Sequence, residues 1–310
     1  MQSINIAARL ALAGFFAVSG VVAASAHETH QTAQAEDIQI GTTKLNDTLA
    51  VLSGINGFSG GNVIVSSGPD GMLIIDDKLQ TMTEKLNAAL DALGGRDTLR
   101  FVVNTHWHFD HAGGNAELGK SATIIAHTNV RKRLSTEQRL EAFGMSFPAN
   151  PDSALPVITY DESASIHLNG EEIQLVHYPA SHTDTDTVVY FTKSNVVHTG
   201  DLFFNGLFPF VDVENGGSVQ GVAQNVGRIL TAFPDDVTIV PGHGPIATKA
   251  DLRVYHRMLE DSLALVSDAI AAGKSLEEIQ AAGVPEEWKS WAALIDEPTW
   301  LAIVHTSLSQ

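Results

Sequence analysis

The sequence predicts an α/β protein in which two β-sheets pack face to face and helices cover their outer surfaces. Three observations lead to this fold class. Short apolar runs separated by turn residues come first, as in antiparallel strands and hairpins. Segments with helical and strand-like patterns then alternate, and this alternation occurs in two successive series. Strands followed by alternating helices and strands are typical of two stacked sheets with helices outside.

The first 46 residues lie outside this pattern. Residues 1–26 contain one cation, Arg9, an apolar run from Leu10 to Val22 and the small-x-small cleavage signature Ala24-Ser25-Ala26. They predict a signal peptide and export to a periplasm or the medium, because the run is shorter than the roughly 20 residues of a membrane span. Residues 27–46 are polar and lack a sustained period, which predicts a loose leader.

Residues 47–273 are predicted to form the domain. Its strands are expected at Leu49–Leu52, Asn62–Val65, Met72–Ile75, Leu99–Val103, Ile124–Ile125, Ile173–Tyr178, Thr187–Phe191, Val196–His198 and Val237–Val240. Its helices are expected at Thr81–Leu93, Val130–Phe143, Val219–Ala232 and Asp251–Ala272. Residues 274–310 form a predicted C-terminal helical extension that packs on the domain, because they carry three of the four tryptophans, Trp288, Trp291 and Trp300.

The net charge and the absence of cysteine argue against several functions and kinds of site. A formal net charge of −18 opposes binding to nucleic-acid phosphates and favours a small-molecule substrate. No second apolar span follows the signal peptide, so no membrane association is expected after cleavage. The chain has no cysteine, so a metal site must be built from His, Asp and Glu.

One dense cluster of metal-ligand residue types follows the predicted strand Leu99–Val103. In extended chain His106, His108 and Asp110 share one side, while His111 can address a second point if the backbone turns there. The alternative to a metal site is a surface loop that contains three histidines by chance. It is disfavoured because an isolated His-x-His is common, whereas His-x-His-x-Asp-His directly after a strand is specific.

Three further candidate ligands stand at the ends of other predicted strands. His182 follows Ile173–Tyr178, Asp201 follows Val196–His198, and His243 lies between two glycines after Val237–Val240. A strand end positions a side chain rigidly and a loop exposes it, so these positions suit a functional site.

In the order and spacing of these motifs, residues Leu49 to His256 resemble the metallo-β-lactamase superfamily. The resemblance implies a four-layer αββα sandwich and two zinc ions. His106, His108 and His182 would bind the first, Asp110, His111 and His243 the second, and Asp201 would bridge both. Asp76 looks like the buried aspartate that orients the metal loop, with its neighbour Asp77 as a competitor.

The resemblance also implies chemistry. The metal pair would activate water for attack on an amide, ester or thioester, and Asp110 would orient that water. β-Lactam hydrolysis, in modest degree, is the leading specific expectation, with Phe58 in a flap-like loop and Phe204 as substrate contacts. Asp201 and His111 look more like a thioesterase or lactonase of glyoxalase II type. An iron sulfur-dioxygenase and a non-catalytic periplasmic metal-binding protein remain alternatives.

Overall fold

The larger sheet combines an antiparallel and a parallel half. In the computed structural model, which describes residues 37–310, its order is β1-β2-β3-β4-β5-β6-β9. Strands β1 to β4 form an antiparallel meander, whereas β4, β5, β6 and β9 run parallel. The bounds are β1 Gln39–Lys44, β2 Leu49–Ile55, β3 Val63–Gly68, β4 Gly71–Ile75, β5 Leu99–Val103, β6 Thr123–His127 and β9 Ile158–Tyr160.

The smaller sheet has the order β10-β11-β12-β13-β14 and is antiparallel except for the last pair. Its strands are β10 Ser163–Leu168, β11 Glu171–His177, β12 Thr187–Phe191, β13 Val196–His198 and β14 Thr238–Val240. A separate hairpin joins β7 Gln138–Leu140 to β8 Met145–Phe147.

Helices flank the two sheets, and the four longest of those described lie on the outer faces. They are α1 Thr83–Leu93, α2 Asn115–Leu118, α3 Thr128–Leu134, α4 Val219–Ala232, α5 Lys249–Ala271, α6 Leu276–Ala282 and α7 Glu297–Leu308. The longest, α5, begins with a capping box in which Thr248 and Asp251 satisfy each other's backbone N–H groups.

Three apolar clusters show the layering. Leu73 and Val103 of the larger sheet meet Leu175 and Val189 of the smaller one in a core between the sheets. A second cluster packs α1 on the outer face of the larger sheet, and a third packs α4, α5 and α7 on the outer face of the smaller one. The predicted αββα sandwich is therefore confirmed.

Most predicted elements agree with the structure, but two expectations are wrong. The leader predicted for residues 27–46 is not loose throughout, because β1 pairs with β2 along its whole length. The helix predicted over 130–143 ends at Leu134, and the chain then enters β7. Its apolar spacing reflects burial of Leu140 in the hairpin, not a continuing helix.

The C-terminal extension packs on the domain as predicted. Trp288 and Trp300 are buried, and their indole N–H groups donate to Asp261 and Ser262 of α5 at 3.1 and 3.0 Å. The predicted signal peptide lies outside residues 37–310. Within that range, no helix combines the length and the apolar character that crossing a bilayer demands.

Candidate metal centre

The structure brings all seven predicted ligands together at one edge of the stacked sheets. They form two groups, and within each group the potential ligand atoms lie within 4.8 Å of one another. The first group contains His106, His108, His182 and Asp201, and the second contains Asp110, His111 and His243.

Strand ends hold the segments in place. His106 to His111 follow β5, His182 follows β11, Asp201 follows β13 and His243 follows β14. The backbone N–H of Thr187 donates to Thr105 O at 2.8 Å and ties the two sheets together beside the centre. Because these four segments follow strands that are fixed by sheet hydrogen bonds, the ligands are positioned before any ion binds.

In the first group the imidazoles face each other closely. His182 Nε2 lies 2.8 Å from His108 Nδ1. Asp201 Oδ2 lies 3.5 Å from His182 Nε2 and 3.8 Å from His106 Nε2. These are the nitrogen and oxygen donor types that zinc accepts in tetrahedral sites.

The second group shares Asp201 with the first. Asp110 Oδ2 lies 3.2 Å from His243 Nε2 and 3.6 Å from His111 Nε2. Asp201 Oδ1 lies 3.1 Å from His111 Nε2, and its Oδ2 lies 3.5 Å from His243 Nε2. One carboxylate therefore touches both groups, as expected of a residue that bridges two cations.

Burial and charge set the protonation of the ligands. Burial lowers the pKa of His106 well below its usual value and that of His182 to about 4, so both rings are neutral and able to bind a metal. Burial also acts on His243, but the carboxylates of Asp201 and Asp110 outweigh it and raise the pKa to about 9. Buried carboxylates are costly unless positive charge lies beside them, and divalent cations would supply that charge.

The donor atoms of the centre suit metal ions. His106 Nε2 is buried and has no hydrogen-bond partner. A buried polar atom without a partner is costly, and here it points at the carboxylate shared by both groups. The unpartnered nitrogen and the cysteine-free donor set both suit a cation of borderline softness.

Asp76 holds the second group in orientation. Its Oδ2 lies 2.7 Å from His111 Nδ1, and its Oδ1 accepts from the backbone N–H of Thr105 at 2.7 Å. Asp77, the competitor, accepts from the backbone N–H of Gly114 instead. Asp76 is thus the aspartate that fixes a ligand ring, with the other ring nitrogen left for a metal.

Two glycines allow the segments to approach this closely. A Cβ at Gly61 would collide with the ring of His111, and one at Gly242 would collide with Asp201 Oδ1. Both positions therefore exclude every other residue type unless a ligand moves.

The two predicted substrate contacts differ in exposure. Phe58 is half-buried and its ring stacks on His243 at 5.6 Å between centroids. Phe204 also stacks on His243, at 5.0 Å, but is only 1% exposed. The expectation that Phe204 contacts substrate is corrected by this burial, because the ring supports His243 from below the surface.

Asp212 is a residue of the centre that the sequence did not reveal. Its Oδ2 lies 3.0 Å from His108 Nε2, and both its oxygens accept from Asn215 Nδ2 at 2.9 Å. It orients His108 as Asp76 orients His111. The only hint in the sequence is that Asp212 is an acid among apolar residues, in Phe210-Val211-Asp212-Val213. This pattern alone does not identify it as a partner of His108.

Replacing Asp212 by Ala is expected to weaken metal binding to the first group roughly 10–100-fold, because His108 loses the partner that fixes its ring. Zinc titration against a competing chelator measures this. The exposed Asp268, changed to Ala, is the matched control. Unchanged zinc affinity in Asp212→Ala would show that His108 is oriented without it.

A second histidine pair lies away from the centre. The rings of His127 and His177 stack at 3.7 Å between centroids with an interplanar angle of 9°. His127 Nε2 contacts Asp161 O and His177 Nδ1 contacts Asp186 O, each at 2.9 Å. Burial lowers the pKa of both, so both are neutral in the folded protein.

Because these pKa values are depressed on folding, the unfolded chain takes up protons first as the pH falls below about 6.5. The free energy of unfolding is therefore expected to fall between about pH 7.5 and 5.5. His177→Phe, which keeps a ring in the stack, should lose less than wild type over this interval. Urea unfolding with chelator in every sample measures it, with the exposed His167→Phe as control. An equal loss in both variants would contradict the assignment.

Comparison with known proteins decides the family. A model of the metallo-beta-lactamase superfamily matches residues 57–243, a segment that contains both groups. The chain belongs to the metallo-beta-lactamase superfamily. Metal binding is usual in this superfamily, and the two groups in this member could hold metal ions.

Relatives within the superfamily differ in activity. The chain is 27% identical over 215 residues to a metallo-beta-lactamase type 2 of Elizabethkingia meningoseptica, covering 67% of this chain and 80% of that protein. It is 29% identical over 150 residues to a probable hydroxyacylglutathione hydrolase of Schizosaccharomyces pombe, covering 47% of this chain. That match spans about half the hydrolase, 48% of its length.

Solved structures show the same fold. A metallo-beta-lactamase from Pontibacter korlensis superposes with a TM-score of 0.58 at 17% identity, over 72% of this chain and 100% of that one. The sec-alkylsulfatase Pisa1 from Pseudomonas sp. gives 0.63 at 18% identity, over 86% of this chain and 50% of that one. At these identities the likeness concerns the fold alone.

Proposed function

We propose that this superfamily member is an exported hydrolase that holds two zinc ions and cleaves an amide, ester or thioester bond in a small molecule. The observation that carries the proposal is the position of Asp201, whose two oxygens contact histidines of both ligand groups. A shared carboxylate keeps two cations adjacent, as two-metal hydrolysis needs.

Bound there, two zinc ions would supply the Lewis acidity that activates a water molecule for attack on a carbonyl carbon. The chain's own residues do the positioning. Asp76 and Asp212 fix the rings of His111 and His108. Asp110 Oδ2 lies beside His111 and His243. There it can accept a hydrogen bond from the attacking water and so orient that water.

A β-lactam is the first substrate to test, because the lactamase relative aligns over most of its own length. Esters and thioesters are the second candidate. Two observations favour them: a carboxylate, Asp201, joins the two groups, and the alignment also reaches a probable hydroxyacylglutathione hydrolase.

Purified protein assayed with a chromogenic cephalosporin and with ester and thioester panels tests the proposal. We expect turnover of at least one class that chelator abolishes and zinc restores better than iron. Recovery only with ferrous iron would favour an iron enzyme. Metal binding without turnover of any substrate, or turnover that is unchanged by chelator, would overturn the proposal of a metal-dependent hydrolase.

Export rests on residues 1–26 alone. N-terminal sequencing of protein recovered from the periplasm or medium is expected to begin at His27. Retention of the full chain in the cytosol would contradict export and leave the hydrolase proposal untouched.

A further inference from the structure

A groove of about 310 Å³ opens beside His243. Three parts of the chain line it: residues between 53 and 62, the turn at residues 242–245, and two leucines from elsewhere. The leucines are Leu207 and Leu294, both half-buried. Because His243 belongs to the second ligand group, a molecule in this groove would reach the candidate metal centre.

Leu294 comes from the C-terminal extension. Its neighbour Ile295 is 2% exposed and belongs to the core that α4, α5 and α7 share. The indoles of Trp288 and Trp300, on either side in sequence, are hydrogen-bonded to α5. Leu294 is therefore held firmly at the groove.

The extension also holds the loop that carries Leu207. The backbone N–H of Phe208 donates to Trp291 O at 3.0 Å, and the Phe208 ring stacks on Trp300 at 5.7 Å between centroids. The loop follows Asp201 directly in the sequence. The contacts of Phe208 therefore connect the extension both to the groove and to the segment that carries the bridging carboxylate.

Apart from His243, which belongs to the second ligand group, the described residues that line the groove carry no charged side chain. Of the described residues that line it, none is Asp, Glu, Lys or Arg, and the large side chains are Phe58, Leu207 and Leu294 besides His243 and Pro245. Lys78 lies behind the same loop, but it is fully buried and donates to Ser59 Oγ and Gly61 O. Among the described residues, no lysine or arginine is thus presented to a substrate carboxylate in this groove.

We infer that the C-terminal extension determines substrate specificity, and that Leu294, Leu207 and Phe58 bind an uncharged alkyl or aryl group of the substrate. The inference rests on the proposed hydrolase, since it places the reacting carbonyl at the metal centre. Burying such a group removes apolar surface from water, and each methylene in contact strengthens binding about fourfold.

A series of p-nitrophenyl esters from acetate to octanoate, assayed with the zinc-loaded full chain, tests the inference. We expect kcat/KM to rise about tenfold or more along the series, because the longer chains fill the groove. In Leu294→Ala the octanoate-to-acetate ratio should fall about fivefold. Ala293→Ser, at the exposed neighbouring position, should keep the wild-type ratio.

Binding of octanamide and acetamide, measured by calorimetry, separates this inference from the proposed function. Octanamide should bind more tightly, and Leu294→Ala should weaken it about fivefold. Leu207→Ala is the second variant if Leu294→Ala fails to fold. Hydrolysis without chain-length preference, or a ratio unchanged in both variants, would overturn the inference alone. Octanamide binding that depends on the leucines, without hydrolysis of any substrate, would support the inference about the groove and contradict the proposed hydrolase function.

Discussion

Replacing Asp201 by Ala is expected to lower hydrolysis by at least about a thousandfold, because neither ligand group keeps the carboxylate that they share. Bound zinc should fall from two ions per chain to one or fewer. Steady-state kinetics and metal content by mass spectrometry, on the same preparation, measure both effects.

The control for Asp201→Ala is Asp268→Ala, which removes an exposed carboxylate from α5 and should change neither quantity. Circular dichroism shows whether the variant folds. A folded Asp201→Ala protein that retained two ions and at least a tenth of wild-type activity would contradict the bridging role.

The second large effect is expected at Asp76. In Asp76→Asn, an amide N–H₂ replaces either Oδ2, which faces His111 Nδ1 and the Thr105 hydroxyl, or Oδ1, which accepts from the backbone N–H of Thr105. All three residues are fully buried. Breaking a buried charged pair on one side costs about 3 kcal/mol of unfolding free energy. Zinc affinity of the second group should fall roughly 10–100-fold as well.

Asp77→Asn is an isosteric control one residue away. Burial raises the pKa of Asp77 well above its usual value, and its contact is a backbone N–H that an amide oxygen can accept from equally well. Its free energy of unfolding should therefore change little. Urea unfolding and zinc titration compare the two variants, and equal losses in both would show that Asp76 has no special part in the centre.

The sequence allowed the ligands to be predicted because each follows a strand end that its own local pattern reveals. The motif His106 to His111 needs an extended segment after β5 and a turn at His111, and His182, Asp201 and His243 also follow strand ends. The order of layers also followed from local patterns, since apolar runs and helical periods are local properties.

What could not be predicted depends on contacts between distant segments. Asp212 acts on His108 across 104 positions of sequence, and nothing near either residue records the pairing. Phe204 was expected to contact substrate, but the loop that carries it turns inward against His243. Strand β1 is polar because it is an edge strand, so its pattern resembled that of a loose leader.

The groove shows the same dependence on long-range packing. Leu294 lies about 50 residues beyond His243, and only the docking of the tryptophan-rich extension on α5 places it beside that ligand. Periodicity indicated that the extension would pack. The surface it would complete is a property of the assembled fold.

Anomalous diffraction at the zinc edge, from crystals of the zinc-loaded protein, tests the two-metal account most directly. We predict two peaks, one among His106, His108 and His182 and one among Asp110, His111 and His243, with Asp201 in contact with both. A single peak, or zinc bound only elsewhere on the chain, would contradict it.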